Sequence, residues 1–135
     1  MGMSLKNHLA VAVGTLGLAW GSVATAAPLA NVTGNWSVVA NQSAGVLAIV
    51  QGAGAPCAPI NGTIFGNPVR GYYCPSTGRI SFARKNAAGV VIQSYAGNVS
   101  DVVVGLPNRM GGTFHALDFA AGSGILGEYH FQGQK

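Results

Sequence analysis

Ile60-Asn61-Gly62-Thr63-Ile64-Phe65, Gly66-Asn67-Pro68, Val69-Arg70-Gly71-Tyr72-Tyr73-Cys74, Pro75-Ser76-Thr77-Gly78 and Arg79-Ile80-Ser81-Phe82-Ala83-Arg84 follow one another without a break. Three short stretches rich in β-branched and aromatic residues alternate with two clusters of turn formers, and none repeats at 3.6 residues. Apolar and polar side chains alternate within them: Ile60, Ile64, Val69, Tyr73, Ile80 and Phe82 on one parity, Asn61, Thr63, Arg70, Tyr72, Arg79 and Ser81 on the other. That is the pattern of consecutive antiparallel strands with one face buried.

The same grammar extends in both directions. Further strands are expected at Asn35–Ala40, Val46–Gln51, Val90–Val99, Met110–Asp118 and Ile125–Gln132, eight in all, with turns at Asn41–Gly45 and Lys85–Gly89. Two connections are longer, Ser100–Arg109 and Phe119–Gly124, and are expected as loops at one rim. Alternation puts Trp36, Val38, Ala48, Val50, Ile92, Met110, Phe114, Ala116, Ile125, Tyr129 and Phe131 inward. It puts Gln93, Tyr95, Thr113, His115, Glu128 and His130 outward. One open sheet cannot hide such an apolar face or its own edges, so the expected fold is all-β: an eight-stranded antiparallel up-and-down barrel, with an open β-sandwich as the alternative. Gly62, Gly71, Gly112 and Gly127 share the apolar parity, where they permit tight coiling and leave room inside.

Composition narrows the class. Glycine accounts for 21 of 135 residues and charged side chains for only 7%, which excludes coiled coils, solvated helical bundles and charge-driven disorder. Residues 1–26 read as a signal peptide: Lys6, an apolar run of 12 residues from Leu9 to Trp20, then Ala24-x-Ala26 before the cut. The run is too short to span a bilayer as a helix. Residues 27–135 are then a single β-barrel domain, secreted or periplasmic, with scattered basic residues that offer neither a nucleic-acid stripe nor a membrane-binding patch.

Export makes a disulfide of the only two cysteines, Cys57 and Cys74, which would close a 17-residue loop. In a hairpin turned at Gly66-Asn67 they lie at the same end. Cys57 stands 9 residues before Gly66 and Cys74 stands 7 after Asn67, an excess expected as a bulge at Ala58-Pro59.

Gly34-Asn35-Trp36-Ser37 at the head of the first strand resembles the calycin pattern of lipocalins and avidins, in which G-x-W seals a barrel base. The later pattern Ile60-x-Gly62-x-Ile64-x-Gly66-x-Pro68-x-x-Gly71-Tyr72, Ile80-x-Phe82-x-Arg84, Gln93-x-Tyr95-x-Gly97 and Gly111-Gly112-x-Phe114 is similar to a group of small exported bacterial proteins. The resemblance implies a ligand-holding barrel. It does not extend to biotin, because Val38 stands where avidins carry an asparagine and Trp36 is the sole tryptophan after residue 26.

No constellation of side chains points to catalysis. Ser81, His115 and Asp118 lack a nucleophile elbow and differ in parity, and Asp101, Asp118 and Glu128 are the only acids. His115, Glu128 and His130 share the outer face, where a solvated polar surface outweighs a metal site. Gly52-Ala53-Gly54-Ala55 has no lysine or following helix and reads as a turn. Gln93, Tyr95 and Tyr72 suggest an outer aromatic–amide patch. Arg84 falls on the inward parity at a strand end, placed either to close the base by stacking on Trp36 or to meet an anionic ligand at the mouth.

The expectation is therefore a binding module without enzymatic activity or cofactor, taking a small apolar ligand among Trp36, Ile64, Tyr73, Phe82, Arg84, Ile92, Phe114 and Tyr129. The competing expectation is an extracellular structural or protein-interaction protein with a filled barrel, which self-associates as a homo-oligomer through its sparsely charged, Tyr/Gln/Thr-rich outer face.

Overall fold

The computed structural model describes residues 26–135; apart from Ala26, the expected signal peptide lies outside the described residues. Eight strands follow in order: β1 (Gly34–Ala40), β2 (Ser43–Gln51), β3 (Ala58–Ile64), β4 (Asn67–Cys74), β5 (Arg79–Lys85), β6 (Val91–Val99), β7 (Arg109–Ala116) and β8 (Gly127–Gln134). Each pairs antiparallel with the next, and β8 returns to β1 from Ser37↔Gln134 to Ala40↔Phe131. The result is a closed up-and-down barrel without free edges, not a sandwich.

An up-and-down order places successive connections at alternate ends. The β1–β2, β3–β4, β5–β6 and β7–β8 connections form one end, here called the mouth. The start of β1, the end of β8 and the other three connections form the base. The two long loops expected at one rim therefore lie at opposite ends, Ser100–Asn108 at the base and Leu117–Leu126 at the mouth.

The β3–β4 hairpin turns one residue earlier than expected. Phe65 and Gly66 form its two-residue loop with φ of 48° and 75°, the type I′ geometry that matches strand twist, and Ile64 pairs with Asn67. Counted from that pair, Cys57 and Cys74 are both 7 residues away and stand opposite one another, so no bulge at Ala58-Pro59 is needed. They are disulfide-bonded, with Cα atoms 4.1 Å apart. Such a bond persists in an oxidising compartment.

Alternation misleads in three places. On β2 the inward residues are Leu47 and Ile49, whereas Val50 is 63% exposed and Ala48 is half-buried. Val46-Leu47-Ala48-Ile49-Val50 is apolar on both parities, so only the pairing Ala40↔Ser43 across the Asn41-Gln42 turn decides its phase. On β6 the register slips, with Arg84 opposite Gln93 but Lys85 opposite Val91. Ile92 is the extra residue, and beyond it Gln93, Tyr95, Gly97 and Val99 all turn inward and are buried. Ile125 precedes β8 and is 76% exposed in the mouth loop; the inward residues of that strand are Tyr129, half-buried, and Phe131, buried.

The base is solid. Trp36, Leu47, Ile49, Ile60, Tyr73, Ile80, Val99 and Met110 pack there with Val32 from the segment that precedes β1. That segment seals the end: Tyr73 Oη donates to Leu29 O at 2.5 Å, Trp36 Nε1 donates to Val32 O at 2.9 Å, and Val32 N donates to Gln51 Oε1 at 3.0 Å. Burial pushes the Tyr73 hydroxyl above its ordinary pKa, so it remains a donor. Lys135 Nζ lies 5.3 Å from the Trp36 ring centroid and donates to Thr33 O at 2.7 Å. The cation stacked on the base tryptophan is thus Lys135. Arg84, at the end of β5, belongs to the mouth.

Gly71 shows why the interior parity carries glycine. A Cβ there would stand 2.5 Å from Phe82 Cα and 2.7 Å from its Cβ, so the bare backbone is what lets β4 and β5 coil tightly.

Cys57→Ser should cost about 3 kcal/mol on the loop-entropy model, which lowers the melting temperature by about 10 °C. Thermal unfolding followed by circular dichroism checks this. Intact mass should rise by two hydrogens on reduction, and free alkylation of the unreduced native protein would contradict the pairing.

Candidate functional site

Above the solid base the barrel opens into a cavity of about 380 Å³ at the mouth. One of its walls is an aromatic ladder created by strand register. Phe82, Tyr95, Phe114 and Tyr129 are directly paired across β5, β6, β7 and β8. Phe82 stacks on Tyr95 with centroids 4.6 Å apart, Tyr95 on Phe114 at 4.8 Å, and Phe114 meets Tyr129 at 5.4 Å with a 32° tilt. Phe131 closes the ladder from below, edge-on to Phe82 and Tyr95. Stacked and edge-on pairs each add about 0.5–1.5 kcal/mol beyond buried area, so this wall is rigid.

The polar groups of the mouth converge on Arg84. Its Nε and Nη2 donate to Asn67 Oδ1 at 2.9 and 2.6 Å, and its Nη1 donates to Gln93 Oε1 at 3.1 Å. Gln93 Oε1 also accepts from Tyr95 Oη at 2.7 Å, while Gln93 Nε2 donates to Ser123 O at 2.9 Å. The guanidinium carbon sits 5.3 Å from the Phe65 ring centroid, and that ring lies against Gly45. Phe65 reaches this place from a left-handed backbone, a strained conformation for a bulky residue.

The mouth loop is tied into the same network. Ser123 is buried, Asp118 N donates to its Oγ at 3.1 Å, and Asn86 Nδ2 donates to Ala121 O at 3.1 Å. Burial pushes the Tyr95 hydroxyl up to about 12, against the pull of the neighbouring Arg84 charge. Tyr95 therefore holds its proton and acts as a fixed donor to Gln93.

No protein-family model, curated protein or solved structure matches this chain.

Among the residues expected around a ligand, Arg84, Phe114 and Tyr129 line the cavity. Trp36, Ile64, Tyr73 and Phe82 belong to the packed core. Ile92 is buried but stands apart from that core, and its carbonyl accepts from Leu117 N at 2.9 Å. Phe65, Gln93, Tyr95, Ser123 and Ile125 also line the cavity and were not expected to. A signal for Tyr95 was present, since Tyr95, Gly97 and Val99 share one parity opposite Ser94 and Asn98. On the outer face His115 Nε2 and Glu128 Oε2 pair at 3.2 Å across β7 and β8, both well exposed, while His130 stands opposite Thr113.

The Tyr95 proton makes a testable contribution to stability. Its pKa is raised from 10.0 in the unfolded chain to about 12 in the folded one. The stabilisation is therefore complete below pH 10 and is lost as pH rises through about 12. Tyr95→Phe should flatten this decline, read as the change in urea midpoint between about pH 9 and about pH 11.5, and should leave only the share of Tyr73.

Proposed function

We propose that this protein is an exported, calycin-like binding module that holds a small, largely apolar ligand in the mouth of its barrel, with no catalytic role of its own. The observation that carries this reading is the asymmetry of the interior. Inside the barrel the base is filled by side chains and sealed by the segment before β1, whereas the mouth keeps an open volume against a preformed aromatic wall. A second concavity, about 470 Å³, runs along the β1–β8 seam and is lined mostly by outward-facing residues. The mouth volume falls at the lower end of the range for small-molecule sites, about 300–1,000 Å³, and its lining sets Phe65, Phe114, Ala116 and Ile125 against Asn41, Ser43, Arg84, Gln93 and Ser123. Rigid stacking prepares the wall before any ligand arrives, so little ordering is needed on binding. The site thus lies nearer the entrance than an axial ligand among Trp36, Ile64 and Tyr73 would.

A second reading, self-association through the outer face, draws on the exposed Val46 and Val50 side by side with the neutral residues of β2 and β3. Sedimentation across a hundredfold concentration range separates the two: a strictly monomeric species throughout removes it.

The binding reading is tested with the neutral fluorophore N-phenyl-1-naphthylamine. Saturable, one-to-one fluorescence enhancement is expected. Ala116→Trp should abolish it by filling the mouth, because Ala116 lines the cavity at the end of β7. Its melting temperature should change far less than its affinity. Enhancement that persists in Ala116→Trp, or never saturates, would remove the reading.

A further inference from the structure

Resting on the reading of the mouth as a ligand site, we infer that it selects a monoanionic amphiphile, with Arg84 receiving the carboxylate and the aromatic wall receiving the apolar body. Charge accounting is the starting point. The whole chain has three acidic residues, and none of them lines the mouth cavity. Asp101 lies at the base, where its backbone bridges Pro28, Asp118 Oδ1 accepts from Ala120 N and Ala121 N within the mouth loop, and Glu128 pairs with His115 on the outer face. Among the described residues, the one contact between a carboxylate and a basic side chain is His115–Glu128, and no carboxylate reaches Arg84. Arg84 is half-buried, and its hydrogen bonds go to the neutral amide oxygens of Asn67 and Gln93. A partly desolvated guanidinium without a counterion is costly, and a bound anion relieves that cost.

The donors left over have the right form. A guanidinium carries five N–H groups. Nε spends its one on Asn67, Nη2 one on Asn67 and Nη1 one on Gln93, which leaves one N–H on each terminal nitrogen. Two donors in one rigid plane suit the two oxygens of a carboxylate. Arg84 is also held in place before binding. Phe65 covers its face, Asn67 fixes one edge, and Gln93 is itself locked by Tyr95 and Ser123. Phe114, Tyr129 and Ile125 line the same cavity and supply apolar surface for the remainder of the ligand. No acidic side chain lines it to repel an anion.

The test uses 2-naphthoic acid and methyl 2-naphthoate, which share a ring system and differ in charge, as competitors of N-phenyl-1-naphthylamine at neutral pH. In the wild-type chain the acid should displace the fluorophore at least about tenfold more tightly than the ester. Arg84→Gln should bring the acid down to the level of the ester while moving the ester by no more than about twofold, and Arg84→Lys should recover part of the difference. Equal displacement by acid and ester, or an equal loss of both in Arg84→Gln, would overturn the inference while leaving the mouth a site for neutral ligands. Failure of the fluorophore itself to bind would overturn the site and the inference together. If Arg84→Gln does not fold, the acid-to-ester ratio of the wild-type chain decides the matter alone.

Discussion

Tyr95 reaches the barrel interior because β6 carries one residue more than β5 can pair. The slip between Arg84 and Lys85 is worth a single residue, yet with a side-chain period of two it reverses the face of everything that follows on β6. Gln93 and Tyr95 consequently turn inward together. Tyr95 supplies the centre of the aromatic ladder, and Gln93 becomes the junction of Arg84, Tyr95 and the mouth loop. Without that slip the mouth would lose both its wall and its polar anchor.

Stability and function are divided along the barrel axis. Toward the base, side chains fill the section, the segment before β1 covers the end, and the disulfide pins the β2–β3 connection to the end of β4. Every buried side-chain nitrogen and oxygen among the described residues has a hydrogen-bond partner, there and toward the mouth alike. Toward the mouth, closure relies on turns and on one loop held by a few hydrogen bonds to Asn86 and Gln93. Regions with few buried apolar contacts open most readily, which suits the end where a ligand must enter.

Electrostatics reinforce that division. In a chain so poor in charge, the half-buried Arg84 is the one charged side chain that lines the mouth cavity, so it sets the sign of the field there. Its environment is neutral, hydrogen-bonded and geometrically fixed, a setting that orients the guanidinium without neutralising it. The strained backbone of Phe65 contributes by holding an aromatic face against that cation.

By itself the sequence determined the strand count, the turn positions to within three residues, the antiparallel up-and-down order with a closed barrel preferred to a sandwich, and the pairing of Cys57 with Cys74. These depend on local turn chemistry and on alternation, which are written residue by residue. It also placed Phe114, Tyr129 and Arg84 on the inward parity of their strands. Tertiary structure alone decided the phase of β2, where both parities are apolar, and of β6, where a bulge interrupts the alternation. It likewise decided that Lys135 rather than Arg84 caps Trp36, and that Tyr95 and Gln93 belong to the site. Register is a property of two strands at once: a one-residue slip leaves local preferences almost unchanged, and only burial across the whole barrel distinguishes the two outcomes.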